Sequence, residues 1–491
     1  MSSAPRTRAP RLAAALALPT LAGCVLLSGC AVGPDFHRPV PPTVTSYTRA
    51  PVSGDLGGAG QTLAAGADVP GQWWTLFRSP ALNRLIELAL KNNADLQSAK
   101  AALKSARETY YAQQGAFFPT VDASYSVERQ QASNTPAPPL TSNVNLFTLH
   151  TAQLTVAYTP DLFGGIRRQT ETVAAQAEAQ RYETEAAYLT LTSNLAAAAI
   201  QEASLRNQIA ATERIITLNR DVLGLLQRQK AAGQISGADV AAQEALLAQA
   251  EQGLPPLQKQ LAQQVDQIAA LTGRLPSEAP DDGVELAALT LPRDVPVSLP
   301  SKLVEQRPDV RVAEANLHAA SAQVGVAIAN RLPSFTVTGT AGGAATQLAN
   351  LFSGGNSFWS VTGAVTQPIF QGGALYHRQR AAEAAFDQAK AQYRSTVIDA
   401  FQNVADTLQA LQADALALKA ADRAEQSAAA SLTIVRKQLE LGGVSNVAVL
   451  NAEQTYRQAL ISQAQAQSNR YADAVALIQA LGGGWWNRKD V

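Results

Sequence analysis

The 491-residue chain holds two cysteines, one methionine and four histidines, and each scarcity removes a kind of chemistry. Both cysteines, Cys24 and Cys30, lie near the N-terminus, so no disulfide framework or cysteine-based metal site is open to the remainder. The histidines (His37, His150, His318 and His377) are scattered without ligand spacing. No Gly-rich phosphate loop, nucleophile elbow or paired acidic motif accompanies them, so neither an enzyme nor a metal centre is expected. Charge is scarce as well: 16% of residues, with 39 Lys+Arg against 39 Asp+Glu. A nucleic-acid partner needs a basic footprint, which a net charge of zero does not supply. Beyond the N-terminal segment no stretch approaches the ~20 apolar residues of a membrane helix. The longest, near Leu195 to Ile200, is short and Ala-rich. Any membrane crossing therefore falls to β-strands.

What is present begins with an export signal. Arg6, Arg8 and Arg11 precede an apolar stretch from Leu12 to Leu27. Leu21-Ala22-Gly23-Cys24 and Leu27-Ser28-Gly29-Cys30 both have the form of a lipobox, in which cleavage exposes a cysteine for acylation. Cys24 is followed by Val25-Leu26-Leu27, still apolar, whereas Cys30 leads directly out to Gly33-Pro34-Asp35. Cys30 is the expected lipidation site, carrying diacylglycerol and an N-acyl chain and no other cofactor. An ordinary signal peptide with incidental cysteines is the alternative. Residues 30–72, rich in Pro, Gly, Thr and Ser, then read as a lipid-anchored extended arm without a core of its own. Trp73-Trp74 and Leu76-Phe77 mark the start of ordered packing.

The remainder is one module written twice at an offset of about 210 residues. Asp95 and Pro119 have the same separation as Asp309 and Pro333. Phe163-Gly164-Gly165 recurs as Phe370-Gln371-Gly372-Gly373, and Leu271-Thr272-Gly273 as Leu481-Gly482-Gly483. The expected domains are a signal peptide (1–29), the arm (30–72), a first repeat (73–298) and a second repeat with a C-terminal tail (299–491). Each repeat reads as helix, β-hairpin, very long helix, tight turn, helix.

Four segments alternate with period two. Val121, Ala123, Tyr125 and Val127 oppose Thr120, Asp122, Ser124 and Ser126, and Leu154, Val156 and Tyr158 oppose Thr155, Ala157 and Thr159. In the second repeat Phe335, Val337, Gly339 and Ala341 oppose a Ser/Thr row, as do Trp359, Val361, Gly363 and Val365. An apolar row against a hydroxyl row suits a barrel with lipid outside and water inside, and equally a half-buried sheet in a soluble domain. Four strands cannot close a barrel, whose smallest members have about 8. Membrane insertion therefore calls for an oligomer, most simply a trimer with twelve strands.

Residues 165–232 and 374–441 contain no proline. Leu191, Leu195, Ala198, Leu205, Ile209, Ile216, Leu223 and Leu226 in the first, and Val397, Phe401, Val404, Leu408, Leu411, Ala415 and Leu418 in the second, keep helical and heptad spacing. Such spacing predicts long coiled-coil helices. Glu202, Thr212 and Asn219 fall on the first seam and make it wet. Both helices end at a small-residue turn, Gly233 to Ser236 and Gly442-Gly443 to Ser445. There Gly closes one helix and Ser opens the next. Gly253-Leu254-Pro255-Pro256 is expected to break the first returning helix.

With these residues in view, the chain resembles the TolC-type outer-membrane efflux proteins, in particular their lipoprotein branch. The similar stretches are Cys30 to Pro39, Trp74 to Pro80 with Asn92 to Leu96, Asp161 to Gly164 and Gln306 to Asp309. They continue with Gln367 to Phe370, Leu441 to Ser445 with Leu450 to Glu453, and Ala480 to Trp485. The resemblance implies an α+β membrane protein: a homotrimeric twelve-stranded outer-membrane barrel, set in lipid, that continues into a long α-helical coiled-coil barrel in the periplasm. It also implies a periplasmic adaptor docking at the tips Gly233, Ser236, Gly442, Gly443 and Ser445, and an inner-membrane pump, often proton-driven. Tip closure in the family involves acidic residues near the turns. Here the matching position in the second repeat is Asn451, and Asp239 is the other candidate gate residue, or else a first-turn carboxylate serving its helix N-terminus. A lipid-anchored coiled-coil scaffold and a stand-alone porin are the competing readings.

Overall fold

The computed structural model describes residues 31–49, 61–131, 146–280 and 283–488; Cys24, Cys30 and the signal segment lie outside them. Eight α-helices and six strands are described. Strand β1 (Thr62–Ala65) comes first. Helices α1 (Pro80–Asn92) and α2 (Ala94–Gln114) follow, then strands β2 (Thr120–Gln131) and β3 (Leu146–Tyr158). Helix α3 (Gly165–Ala231) and the returning α4 (Gly237–Leu271) complete the first half. After β4 (Asp294–Val297) the order repeats: α5 (Pro300–Gln306), α6 (Pro308–Ala329), β5 (Ser334–Ala345), β6 (Ser357–Thr366), α7 (Ala374–Glu440) and α8 (Asn446–Ala480). Both long helices have 67 residues and both returning helices 35. At 1.5 Å per residue a long helix runs about 100 Å.

Three features depart from the sequence reading. Two helices, not one, precede each hairpin, because Asn93 and Arg307 interrupt them in extended backbone. Each interrupting side chain is then used: Asn93 Oδ1 accepts from the Leu96 amide and caps α2, while Arg307 pairs with Asp309 at 2.6 Å. Second, α4 runs through Pro255 and Pro256 without a break. The two rings cost helical hydrogen bonds, but Leu247, Ala250 and Leu254 pack on Ile215 and Ile216 of α3 and carry the helix across. Third, the arm is not free of structure. β1 pairs in parallel with β4, Thr62 opposite Asp294 through Ala65 opposite Val297. Val69 is fully buried, and the Tyr47 hydroxyl donates to Ser298 O at 2.9 Å.

The chain packs as two compact units that interleave along the sequence. One comprises the described part of Met1–Arg38, with Ser105–Glu178 and Ala315–Ala391. The other comprises Pro39–Lys104, Ala179–Glu314 and Gln392–Val491. In the first unit β2, β3, β5 and β6 form an antiparallel sheet in that order, leaving β2 and β6 as edges. The second unit holds the main core. Trp73, Trp74, Phe77, Leu82 and Ile86 pack with Leu195, Ile200, Leu411 and Ile478. Arg470 is buried there as well; its guanidinium donates to Leu411 O and Gln61 Oε1.

Candidate functional site

The sheet has the two-faced register that alternation predicts. Directly opposed residues share a face. Val121, Val156, Gly339 and Val361 form one row, and Ala123, Leu154, Ala341 and Trp359 the next. Thr120, Ala157, Thr338 and Thr362 lie on the other side with the row Asp122, Thr155, Thr340 and Ser360. The apolar row is uncovered: Val121, Val361 and Trp359 are 60%, 71% and 78% exposed. Isolated apolar side chains at a surface are ordinary, but a continuous face of them requires a nonpolar surrounding.

Where the described chain begins, residues 31–36 are docked on the first unit. Val32 N donates to Phe163 O at 3.0 Å, and Arg168 donates to Val32 O and to Asp35 Oδ1. The hydrogen bond from Arg168 and then its charge hold the Asp35 carboxyl below the usual carboxylate range. Phe36 stacks on His318 at 4.2 Å, and His318 Nε2 bonds Glu171 Oε1 at 2.8 Å. Gly33 adopts φ +95°, and a Cβ there would lie 2.4 Å from the Cα of Gly325. Nothing in the spacing of the histidines points to His318; the signal was its companion Phe36, far off in sequence.

The two turns end their helices in the same way. Gly233 and Gly442 both take φ +72°. The Gly233 amide bonds Lys230 O and the Gln234 amide bonds Gln229 O, each at 2.9 Å. Gly442 and Gly443 repeat the pair on Leu439 and Gln438. These are Schellman closures, which use orphan carbonyls and require the left-handed conformation that glycine adopts without strain. The turns differ in how the next helix starts. Ser236 and Asp239 form a capping box: the Asp239 amide donates to Ser236 Oγ, and the Ser236 amide donates to Asp239 Oδ2 at 3.0 Å. Ser445 makes no such side-chain bond, since its third neighbour is Ala448. Gly233, Ser236, Gly442, Gly443 and Ser445 are all exposed, as are Leu441 and Val447 beside them. Asn451 is exposed one turn into α8, and Asp239 is half-buried.

Behind the turns the seam is polar, as Glu202, Thr212 and Asn219 predicted; all three are buried. Gln243 Nε2 donates to both Asn219 O and Asn219 Oδ1 at 3.0 Å. Arg436 pairs with the buried Glu453 at 2.8 Å. Ile215, Asn219, Leu246, Leu450 and Glu453 line a void of about 10 Å³, and Glu453 Oε2 is enclosed without a partner. That space admits about one water, which would satisfy the oxygen.

An exposed apolar sheet face joined to helices of this length defines a membrane-inserted channel of the outer-membrane type. The profile of the outer membrane efflux protein family matches residues 85–274 and 299–483, and the chain belongs to that family. It is 30% identical over 466 residues to the solvent efflux pump outer membrane protein SrpC of Pseudomonas putida, covering 94% of this chain and 97% of that protein. It is 28% identical over 451 residues to the pyoverdine export outer membrane protein OpmQ of Pseudomonas putida, covering 91% and 94%. Among solved structures, the outer-membrane channel OprN superposes with a TM-score of 0.83 at 27% identity, over 93% of this chain and 100% of that one. The protein is an outer-membrane efflux channel.

Proposed function

We propose that three copies close a twelve-stranded barrel and that the resulting tube is the passive outer segment of a tripartite export system. A periplasmic adaptor meets the hairpin tips, and an inner-membrane pump, proton-driven, supplies the energy. The observation that carries this reading is the open sheet. Its strands alternate in direction from β2 to β6, so its two edges are antiparallel to each other. β6 of one chain can therefore pair with β2 of the next in unbroken alternation, and a rotational repeat of this contact closes the ring without an edge.

Cys30 is the acylated residue in this proposal. The docking of residues 31–36 supports an anchor held against the base of the strands rather than on a loose tether. The two repeats, 73–298 and 299–491, are copies of one module. The support is their equal helix lengths and a shared lock: Asn93 donates to Leu271 O in one half and Arg307 to Ala480 O in the other. Gly233, Ser236, Gly442, Gly443 and Ser445 form the adaptor-docking ring, with Asp239 and Asn451 as its gate positions. Photo-crosslinkers at Gln234 and Val444 in the native cell test this. Capture of a periplasmic adaptor is the expected result; capture of the chain's own subunits alone would favour an independent pore or scaffold.

A further inference from the structure

The segments that build the sheet, residues 120–158 and 334–366, are nearly free of charge. Apart from His150 they carry Asp122, Glu128 and Arg129 and no other ionisable acid or base outside tyrosine. Parity sorts these three. Asp122 and Glu128 fall on the hydroxyl row, Asp122 directly across from Thr155 and Glu128 across from Leu149. Arg129 falls on the apolar side, where it lies opposite Thr148 and bonds its Oγ1. His150 is on that side too, bonded to the Tyr125 hydroxyl at 2.8 Å. The connections add nothing: residues 132–145 and 346–356 contain no charged side chain. The hydroxyl face thus carries two carboxylates and no cation.

We infer that Asp122 and Glu128 make the water-facing surface of the barrel a charge filter that favours cationic cargo over anionic cargo. This rests on the trimeric reading above, which turns each carboxylate into a ring of three. Twelve strands about 4.8 Å apart at a tilt of roughly 40° set such a ring on the order of 10 Å from the axis. The Debye length is about 10 Å at 0.1 M salt, so the rings still act at the centre of the lumen. Three charges at that distance raise the local concentration of a monovalent cation about twofold and lower that of an anion about twofold. The preference is therefore a bias on passage, strongest at low ionic strength and absent near 1 M, where the Debye length is about 3 Å.

Ser124 lies on the same face, between the two carboxylates in sequence, and reports on this without requiring the tips to open. In the full-length chain in outer membranes, Ser124→Cys is treated from outside with a cationic and an anionic methanethiosulfonate, and the peptide around position 124 is analysed by mass spectrometry. The cationic-to-anionic rate ratio, normalised to a neutral reagent, should be about fourfold higher at 0.1 M salt than with Asp122→Asn and Glu128→Gln added. It should collapse at 1 M salt. If the double variant does not assemble, the salt dependence in the otherwise unaltered chain serves alone. Equal ratios at low and high salt, with position 124 readily modified, would overturn the charge filter and leave the channel intact. Failure of every reagent to reach position 124 would overturn the water-filled barrel, and the filter with it.

Discussion

At the scale of single residues, glycines that look alike in the sequence do different work. Gly273 and Gly482 end the two returning helices at φ +72° and +96°. A Cβ at either would meet backbone, 2.5 Å from Asn92 O and 2.4 Å from Gln306 O. Gly233 and Gly442 share the left-handed conformation but face open space. Gly482→Ala is therefore expected to cost about 2–4 kcal/mol, combining left-handed strain with overpacking, and Gly233→Ala about 1–2 kcal/mol from strain alone. Thermal unfolding of the two variants side by side checks the ranking. The hydrogen bonds also correct the sequence alignment of the repeats by one residue. Gly273 bonds Ala270 O as Gly482 bonds Gln479 O, so Gly273 matches Gly482 and not Gly483.

Asp473 is a second residue-scale case. Burial first, then the adjacent Asp414, push its carboxyl up to about 6, against the pull of Arg470. Asp414 Oδ2 is enclosed without a donor, which a proton on Asp473 would supply. Because the folded value is raised, this contribution to stability is full below about 3.8 and is lost as pH rises through about 6. Asp473→Asn should flatten that part of the pH–stability curve. It should also raise stability at pH 7.5, by about 1–2 kcal/mol once solvent screening is allowed for. Calorimetry from pH 4 to 8 measures both effects, and an unchanged curve would refute the assignment.

At the scale of elements, the two hairpins share closures and differ in what pins them. The first has the Asn219–Gln243 bond, the exposed Arg220–Glu251 pair and a capping box. Taking Gly233 onto Gly442, the positions matching Asn219 and Gln243 are Ala428 and Ala452. The second hairpin thus has small apolar side chains there and is pinned by the Arg436–Glu453 pair and by Gln463 donating to Asp422 Oδ1. An orphaned buried amide costs more than the bond contributes. Gln243→Ala should therefore destabilise the first hairpin by about 1–3 kcal/mol, while the double change Asn219→Ala, Gln243→Ala, copying the second hairpin, recovers part of that loss. Hydrogen exchange across α3 and α4 would resolve the two. Equal protection in the single and double variants would mean that the bond is solvated in solution.

At the scale of the whole molecule, the proposed trimer and the proposed anchor are distinguished by experiment. The sheet leaves both of its edges unpaired within one chain, so the oligomer is expected to persist wherever the barrel inserts. Cys30→Ala should abolish acylation and leave the outer-membrane trimer in place, as native mass spectrometry and acyl labelling would report. Loss of the trimer together with the acyl group would instead make the anchor part of assembly. Disulfides engineered between neighbouring hairpins near Ser236 and Ser445 should hold the proposed gate at the tips shut and block export; undiminished export with those bonds formed would show that the tips do not gate.

Much of this was legible in the sequence because the governing signals are local and periodic. Alternation over ten or more residues fixes which side chains share a sheet face, and every apolar row expected from β2, β3, β5 and β6 is found. Proline-free heptads predicted the two long helices and their wet seam, and Gly followed by Ser predicted where each turns. What stayed hidden depends on partners distant in sequence. The four-residue β1 and β4 have too few residues for a period and exist because they pair with each other. Pro255 and Pro256 remain helical because α3 offers a surface to Leu254. Phe36 finds His318, and Arg470 finds Gln61, only once the chain is folded. Repeating local preference specified the strands and the long helices; contacts between remote residues decided how the segments between them are fastened.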